Sequence, residues 1–169
     1  MTESKQSPDT ATRLVKTLTS RDLKLCTAES LTGGLLGATI TSVPGASAVY
    51  LGGFIAYDST MKSTMLDVDE NDIEAHTVVS GEVAAGMALG AQELTGADWS
   101  VAVTGVAGPT PQDGHEPGEV FISVIGPRTA SMPPFALSER YELAGDRDAV
   151  RTQTVETALQ MLLRAISPV

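Results

Sequence analysis

At 169 residues the chain has the length of one domain with a sizeable core, and 42% hydrophobic and 19% charged residues with 16 glycines give no collagenous, coiled-coil or disordered bias. Eleven Lys and Arg against 21 Asp and Glu leave a net charge of −10, without the basic cluster that binding to nucleic-acid phosphates requires. A single cysteine, Cys26, excludes an intrachain disulfide, and no apolar run reaches the length of a membrane span.

Residues 1–8 are polar and read as a mobile tail; residues 9–169 read as one domain. The N-terminus carries acids and no apolar segment, so no signal peptide is expected and the protein is expected in the cytoplasm. Ala11, Leu14, Val15 and Leu18 recur at helical spacing, which predicts an amphipathic helix to Ser20 capped by Asp9. Lys24 to Ala28 reads as a short strand that buries Cys26 as a small hydrophobe. A helix is expected to open at Thr32-Gly33-Gly34 and to run to about Thr41, with Val43-Pro44-Gly45 ending it.

Val49 to Tyr57 predicts a second strand, in which Gly52 and Gly53 suggest a bulge or a close backbone approach. Asp58 or Ser59 then caps a short helix with Met61, Lys62 and Met65, and Asp69 or Asn71 caps another short turn. Ser80 starts a clear helix over Gly81 to Leu94. Trp99 to Thr104 is a third strand, followed by a Gly/Pro-rich connection from Gly105 to Gly118 and a fourth strand from Glu119 to Ile125. Phe135 to Leu143 alternates as an edge strand, and a long helix capped by Asp146 closes the chain. Strands and helices largely alternate, so the fold class is α/β, one domain with helices covering a sheet. Strand order does not follow from this pattern.

Three residues carry candidate chemistry. Ser30 ends the first strand, where α/β sheets place ligand sites, and Tyr57 and Lys62 follow the second strand. A serine hydroxyl becomes a nucleophile when a neighbouring base takes its proton. A lysine amine serves as that base once burial or a nearby positive charge depresses its pKa. A tyrosine hydroxyl can relay the proton between them. The helix start at Thr32, Gly33 and Gly34 offers backbone N–H groups and a positive dipole end that can cradle an oxyanion.

On spacing alone each residue also has a plainer role. A Ser or Thr that caps a helix is several times commoner than a catalytic one, a strand-end Tyr is usually half-buried core, and a helical Lys is usually solvated. Thr104-Gly105-Val106-Ala107-Gly108-Pro109 is a glycine loop whose backbone donors suit a phosphate without basic side chains. The connection that contains it is unusually long for a compact domain and is expected to be functional. Asp113 and Glu116 on the same connection oppose a phosphate wherever they face it. Arg147 and Arg151, one turn apart after Gly145-Asp146, reach an anion or a subunit interface, or are simply solvated. His76 and His115 have no ligand-like spacing, and no metal site is expected.

Taken together, Ala28-Glu29-Ser30-Leu31-Thr32-Gly33-Gly34, Phe54-Ile55-Ala56-Tyr57 with Lys62, Val78-Val79-Ser80, Thr104 to Pro109 and Gly145-Asp146-Arg147 resemble the CinA family over nearly the whole chain from Ala11. The similarity is to that family's C-terminal domain, which also exists alone as nicotinamide-nucleotide amidase. The resemblance implies a three-layer α/β/α domain with a mixed sheet that commonly self-associates as a homo-oligomer. It further implies deamidation of nicotinamide mononucleotide to nicotinic acid mononucleotide and ammonia, without cofactor or metal.

Ser30, Tyr57 and Lys62 fall on that family's catalytic positions, as nucleophile, proton relay and base. Thr32, Gly33, Gly34, Thr104, Gly105, Ala107, Gly108 and Arg147 are the expected substrate contacts. Two other functions stay open on the sequence: a nucleotide-binding module without turnover, and an interaction protein. The acidic balance argues against a nucleic-acid partner for either.

Overall fold

The computed structural model describes residues 9–131 and 134–167. The expected tail, Met1 to Pro8, lies outside the described residues. In chain order the elements are α1 (Thr10–Ser20), β1 (Leu25–Glu29), α2 (Leu35–Thr41), β2 (Tyr50–Ile55), α3 (Ser59–Leu66), α4 (Glu70–His76), α5 (Gly81–Thr95), β3 (Trp99–Gly105), β4 (Glu119–Ile125), β5 (Ala136–Glu142) and α6 (Arg147–Ile166). One short 3-10 turn, Ala46–Ala48, stands between α2 and β2.

Local chemistry sets most of these boundaries. The side chains of Asp9, Asp58, Asp69, Ser80 and Asp146 each accept from a backbone N–H two or three residues ahead, at 2.7–3.2 Å. Each cap satisfies a donor that a helix leaves without a partner, which fixes where the helix begins.

The five strands form one mixed sheet in the order β2-β1-β3-β4-β5. β1 pairs in parallel with both β2 and β3, and β3-β4 and β4-β5 are antiparallel. Strand residues alternate between two cores. Leu25, Val101 and Val103 pack with α1, α2 and α6, while Cys26, Ala28 and Ala102 pack with α3 and α5. The result is a helix layer on each face, and β1 is buried at every position.

β5 is an edge strand that alternates exposed and half-buried residues. α3 lies tight against α5: a Cβ on Gly90 would stand 1.9 Å from the Leu66 carbonyl oxygen, so only glycine admits this approach. Among the described residues, no helix is long and apolar enough to cross a membrane.

From β1 the chain passes to β2 on one side and then, through three helices, to β3 on the other. The strand order reverses at β1, and such a switch opens a crevice at the carboxyl ends of the adjoining strands. Ser30 follows the end of β1, and Gly105 ends β3 at that same crevice.

Candidate active site

A cavity of about 410 Å³ opens at the switch point. Ser30, Lys62, Tyr57, Arg147, Thr104 and the loop from Gly105 to Gly108 line it. Ser30 is held at its backbone by β3, its N–H donating to the Val103 carbonyl at 3.0 Å. Lys62 projects from the first turn of α3 and is only 1% exposed. Its Nζ lies 3.0 Å from Ser30 Oγ, 2.9 Å from the Ala56 carbonyl oxygen and 3.5 Å from the Tyr57 carbonyl oxygen.

Burial disfavours the ammonium and lowers the Lys62 pKa from 10.5 to about 8, although the Asp58 carboxylate works the other way. As an ammonium, Lys62 donates to all three oxygens, Ser30 Oγ among them. Once it loses its proton, two N–H groups and one lone pair remain. The two carbonyls can only accept, so the lone pair of that neutral form is left for the Ser30 O–H, and above about pH 8 the hydroxyl has a base in contact.

Lys62 touches Ser30 directly, so no relay stands between them. The Tyr57 hydroxyl instead accepts from the Arg147 guanidinium at 2.9 Å, and the Tyr57 side chain is exposed at the cavity mouth. Arg147 also donates to the Gly108 carbonyl at 2.7 Å. The two contacts join β2, the loop after β3 and the start of α6 across the opening. Arg147 therefore faces the cavity with partners of its own, which separates it from a merely solvated arginine.

The oxyanion cradle expected of Thr32, Gly33 and Gly34 is not formed. Gly33 N–H donates to the Ser30 carbonyl at 3.0 Å, and Gly34 N–H turns to Glu29 Oε1 at 3.2 Å. None of these three residues lines the cavity. Glu29 is the reason. This carboxylate, 2% exposed, also accepts from Leu36 N–H at 2.8 Å, Gly37 N–H at 3.0 Å and the Thr32 hydroxyl at 2.7 Å. It occupies the helix start that the sequence offered to a ligand, and α2 begins at Leu35, after two left-handed glycines, instead of at Thr32.

The second glycine element does line the cavity, through Thr104, Gly105, Ala107 and Gly108. The Thr104 hydroxyl donates to the Val78 carbonyl at 2.7 Å, which brings Val78 and Val79 into the wall. The long connection is folded back on itself by paired Gln112 and His115 backbone bonds. His115 anchors it, Nε2 lying 2.8 Å from Thr77 Oγ1 and Nδ1 3.0 Å from Glu119 Oε2. Thr110, Pro111 and Gln112 reach the cavity, while Asp113 and Glu116 are exposed and outside its lining.

From the sequence, Glu29 has no role of its own and Arg151 is an anion or interface contact or a solvated residue, not a partner of the Ser30 turn. Arg151 donates to the carbonyls of Leu31 and Thr32 at 3.1 and 3.0 Å. The only prior signal for either was position, next to Ser30 and one turn after Arg147.

Residues 8–166 match the family model of the CinA C-terminal domain. The chain is 43% identical over 154 residues to a putative competence-damage inducible protein of Halalkalibacterium halodurans, covering 91% of this chain and 36% of that protein. It is 39% identical over 150 residues to a CinA-like protein of Frankia casuarinae, covering 89% and 33%. It thus spans about a third of the length of these curated relatives.

Among solved structures, it is similar to CinA superfamily proteins of Klebsiella pneumoniae (30% identical, TM-score 0.87, covering 93% of this chain and 95% of that one) and Escherichia coli (30%, 0.84, 96% and 95%). The chain belongs to the CinA family and carries its C-terminal domain.

Proposed function

We propose that the chain is a serine amidohydrolase that deamidates nicotinamide mononucleotide. The observation that carries this reading is the 3.0 Å contact between Ser30 Oγ and the buried Lys62 amine, which two backbone carbonyls hold in place. Ser30 Oγ attacks the carboxamide carbon while its proton passes to Lys62 Nζ. The tetrahedral intermediate collapses, the C–N bond breaks, and the proton leaves with the amine as ammonia. Water then adds to the ester, Lys62 accepts its proton, and the carboxylate is released as Ser30 regains its hydrogen.

Arg147 and the donors of the loop Thr104 to Gly108 receive the phosphate end. The Arg147 guanidinium at the mouth supports an anionic ligand, and Asp113 and Glu116 stay outside the cavity, which Asp58 lines beside Lys62. Arg147 gives up Tyr57 for that ligand, which frees the phenol to steer the leaving amine. Self-association belongs to the same proposal, and sedimentation velocity reads it directly.

Incubation with nicotinamide mononucleotide should release ammonia and the carboxylate in equal amounts, and Ser30→Ala should abolish both. Thermal stabilisation by the nucleotide without ammonia release would instead favour a binding module.

A further inference from the structure

The turn that carries Ser30 is gripped from two sides. Glu29 holds the Gly34 N–H and the Thr32 hydroxyl from within, together with the Leu36 and Gly37 N–H groups of α2. Arg151, from the second turn of α6, holds its carbonyls from without: Nε donates to Leu31 at 3.1 Å and one terminal nitrogen to Thr32 at 3.0 Å. A guanidinium fork ordinarily pairs with a carboxylate. Here the nearest carboxylate contact is Asp148 Oδ1 at 3.9 Å, beyond hydrogen-bonding distance, and the Arg151 side chain is 30% exposed. Its charge is directed at two consecutive backbone carbonyls.

That choice bears on Ser30. In a trans peptide the C=O and the N–H point in opposite directions. Arg151 and the Leu35 N–H, each at 3.0 Å, together fix the Thr32 carbonyl; this turns the Gly33 N–H the other way, and it donates to the Ser30 carbonyl at 3.0 Å. The Ser30 backbone is thus pinned at its N–H by Val103 and at its C=O by a peptide group that Arg151 orients. A cation on one end of a hydrogen-bonded chain also polarises the next bond along it. We propose that Arg151 is a positioning residue: it sets the turn after Ser30 so that Oγ stays within proton-transfer distance of Lys62 Nζ. This rests on Ser30 as the nucleophile of the proposed reaction.

The test compares wild type, Arg151→Ala and Arg151→Lys in two assays. One is steady-state release of ammonia from nicotinamide mononucleotide. The other is the rate at which a fluorophosphonate modifies Ser30, in which Oγ displaces fluoride from phosphorus and the proton passes to Lys62. Arg151→Ala should slow both modification and kcat by about 10- to 100-fold, the scale of a small misplacement of a reacting atom, with KM within about threefold. Added guanidinium should restore part of each rate, because the vacated site reaches solvent. Arg151→Lys, which can reach only one carbonyl, should fall between.

Modification of Arg151→Ala at the wild-type rate would overturn the proposal, as would a loss that guanidinium leaves unchanged. Should Arg151→Ala not fold, Arg151→Lys carries the test through its modification rate at wild-type KM, and a wild-type rate there overturns the proposal. A wild type modified at Ser30 that releases no ammonia defeats the amidase reading alone. A folded wild type that leaves Ser30 unmodified defeats both.

Discussion

Lys62 is among the largest side chains buried in the core, and a buried amine leaves a thermodynamic signature apart from any activity. Its pKa is 10.5 when exposed in the unfolded chain and about 8 in the native fold. Below pH 8 both states hold the proton, and the native state bears the full cost of burying the charge. Between about pH 8 and 10.5 the unfolded chain alone keeps the proton, so stability rises with pH, by at most about 1.4 kcal/mol per unit. Relative to Lys62→Met, wild type should therefore gain stability from neutral to alkaline pH in denaturant titrations, and an unchanging difference would contradict a depressed amine.

Arg147 makes a prediction of the same scale. Arg147→Ala should raise KM for the nucleotide by about 10- to 100-fold, the worth of one charge-assisted contact, and change it little for the unphosphorylated riboside. Equal effects on the two substrates would remove the phosphate from this corner of the site.

At the scale of elements, caps were the most legible part of the sequence. Asp9, Asp58, Asp69, Ser80 and Asp146 each act within three residues of themselves, so their short-range chemistry is complete in the sequence. The start of α2 was not legible, because its cap is the side chain of Glu29, which lies in the strand before it and turns back across five to eight residues. The same contact takes the Gly34 N–H from the expected oxyanion cradle, and the Ser30 carbonyl takes the Gly33 N–H. Arg151 was obscured for a related reason, since its partners lie about 120 residues away. Glu29→Gln tests the turn: the amide keeps the volume but presents an NH2 to backbone donors. A loss of about 1–3 kcal/mol in unfolding free energy is expected, and unchanged stability would show that Glu29 does not hold the helix start.

For the molecule as a whole, alternation of strands and helices foretold the α/β class. The order β2-β1-β3-β4-β5 was out of reach, because it depends on pairings between strands distant in sequence. That order makes the site: the reversal at β1 is what sets Ser30 beside the end of β3 and the glycine loop. The long connection reads as loop in sequence, yet His115 ties it to Thr77 and Glu119 and so keeps its acidic residues out of the cavity. A chain of net charge −10 thus presents the Arg147 guanidinium and the glycine loop at one opening, which Asp58 also lines.

If Lys62, once deprotonated in its buried site, activates Ser30 for amide hydrolysis, ammonia release from nicotinamide mononucleotide should follow its titration. kcat/KM should rise about tenfold per pH unit on the acid side and level near pH 8, and Ser30→Ala and Lys62→Met should show no release. No release by wild type, or release that persists in Ser30→Ala, would contradict that activation.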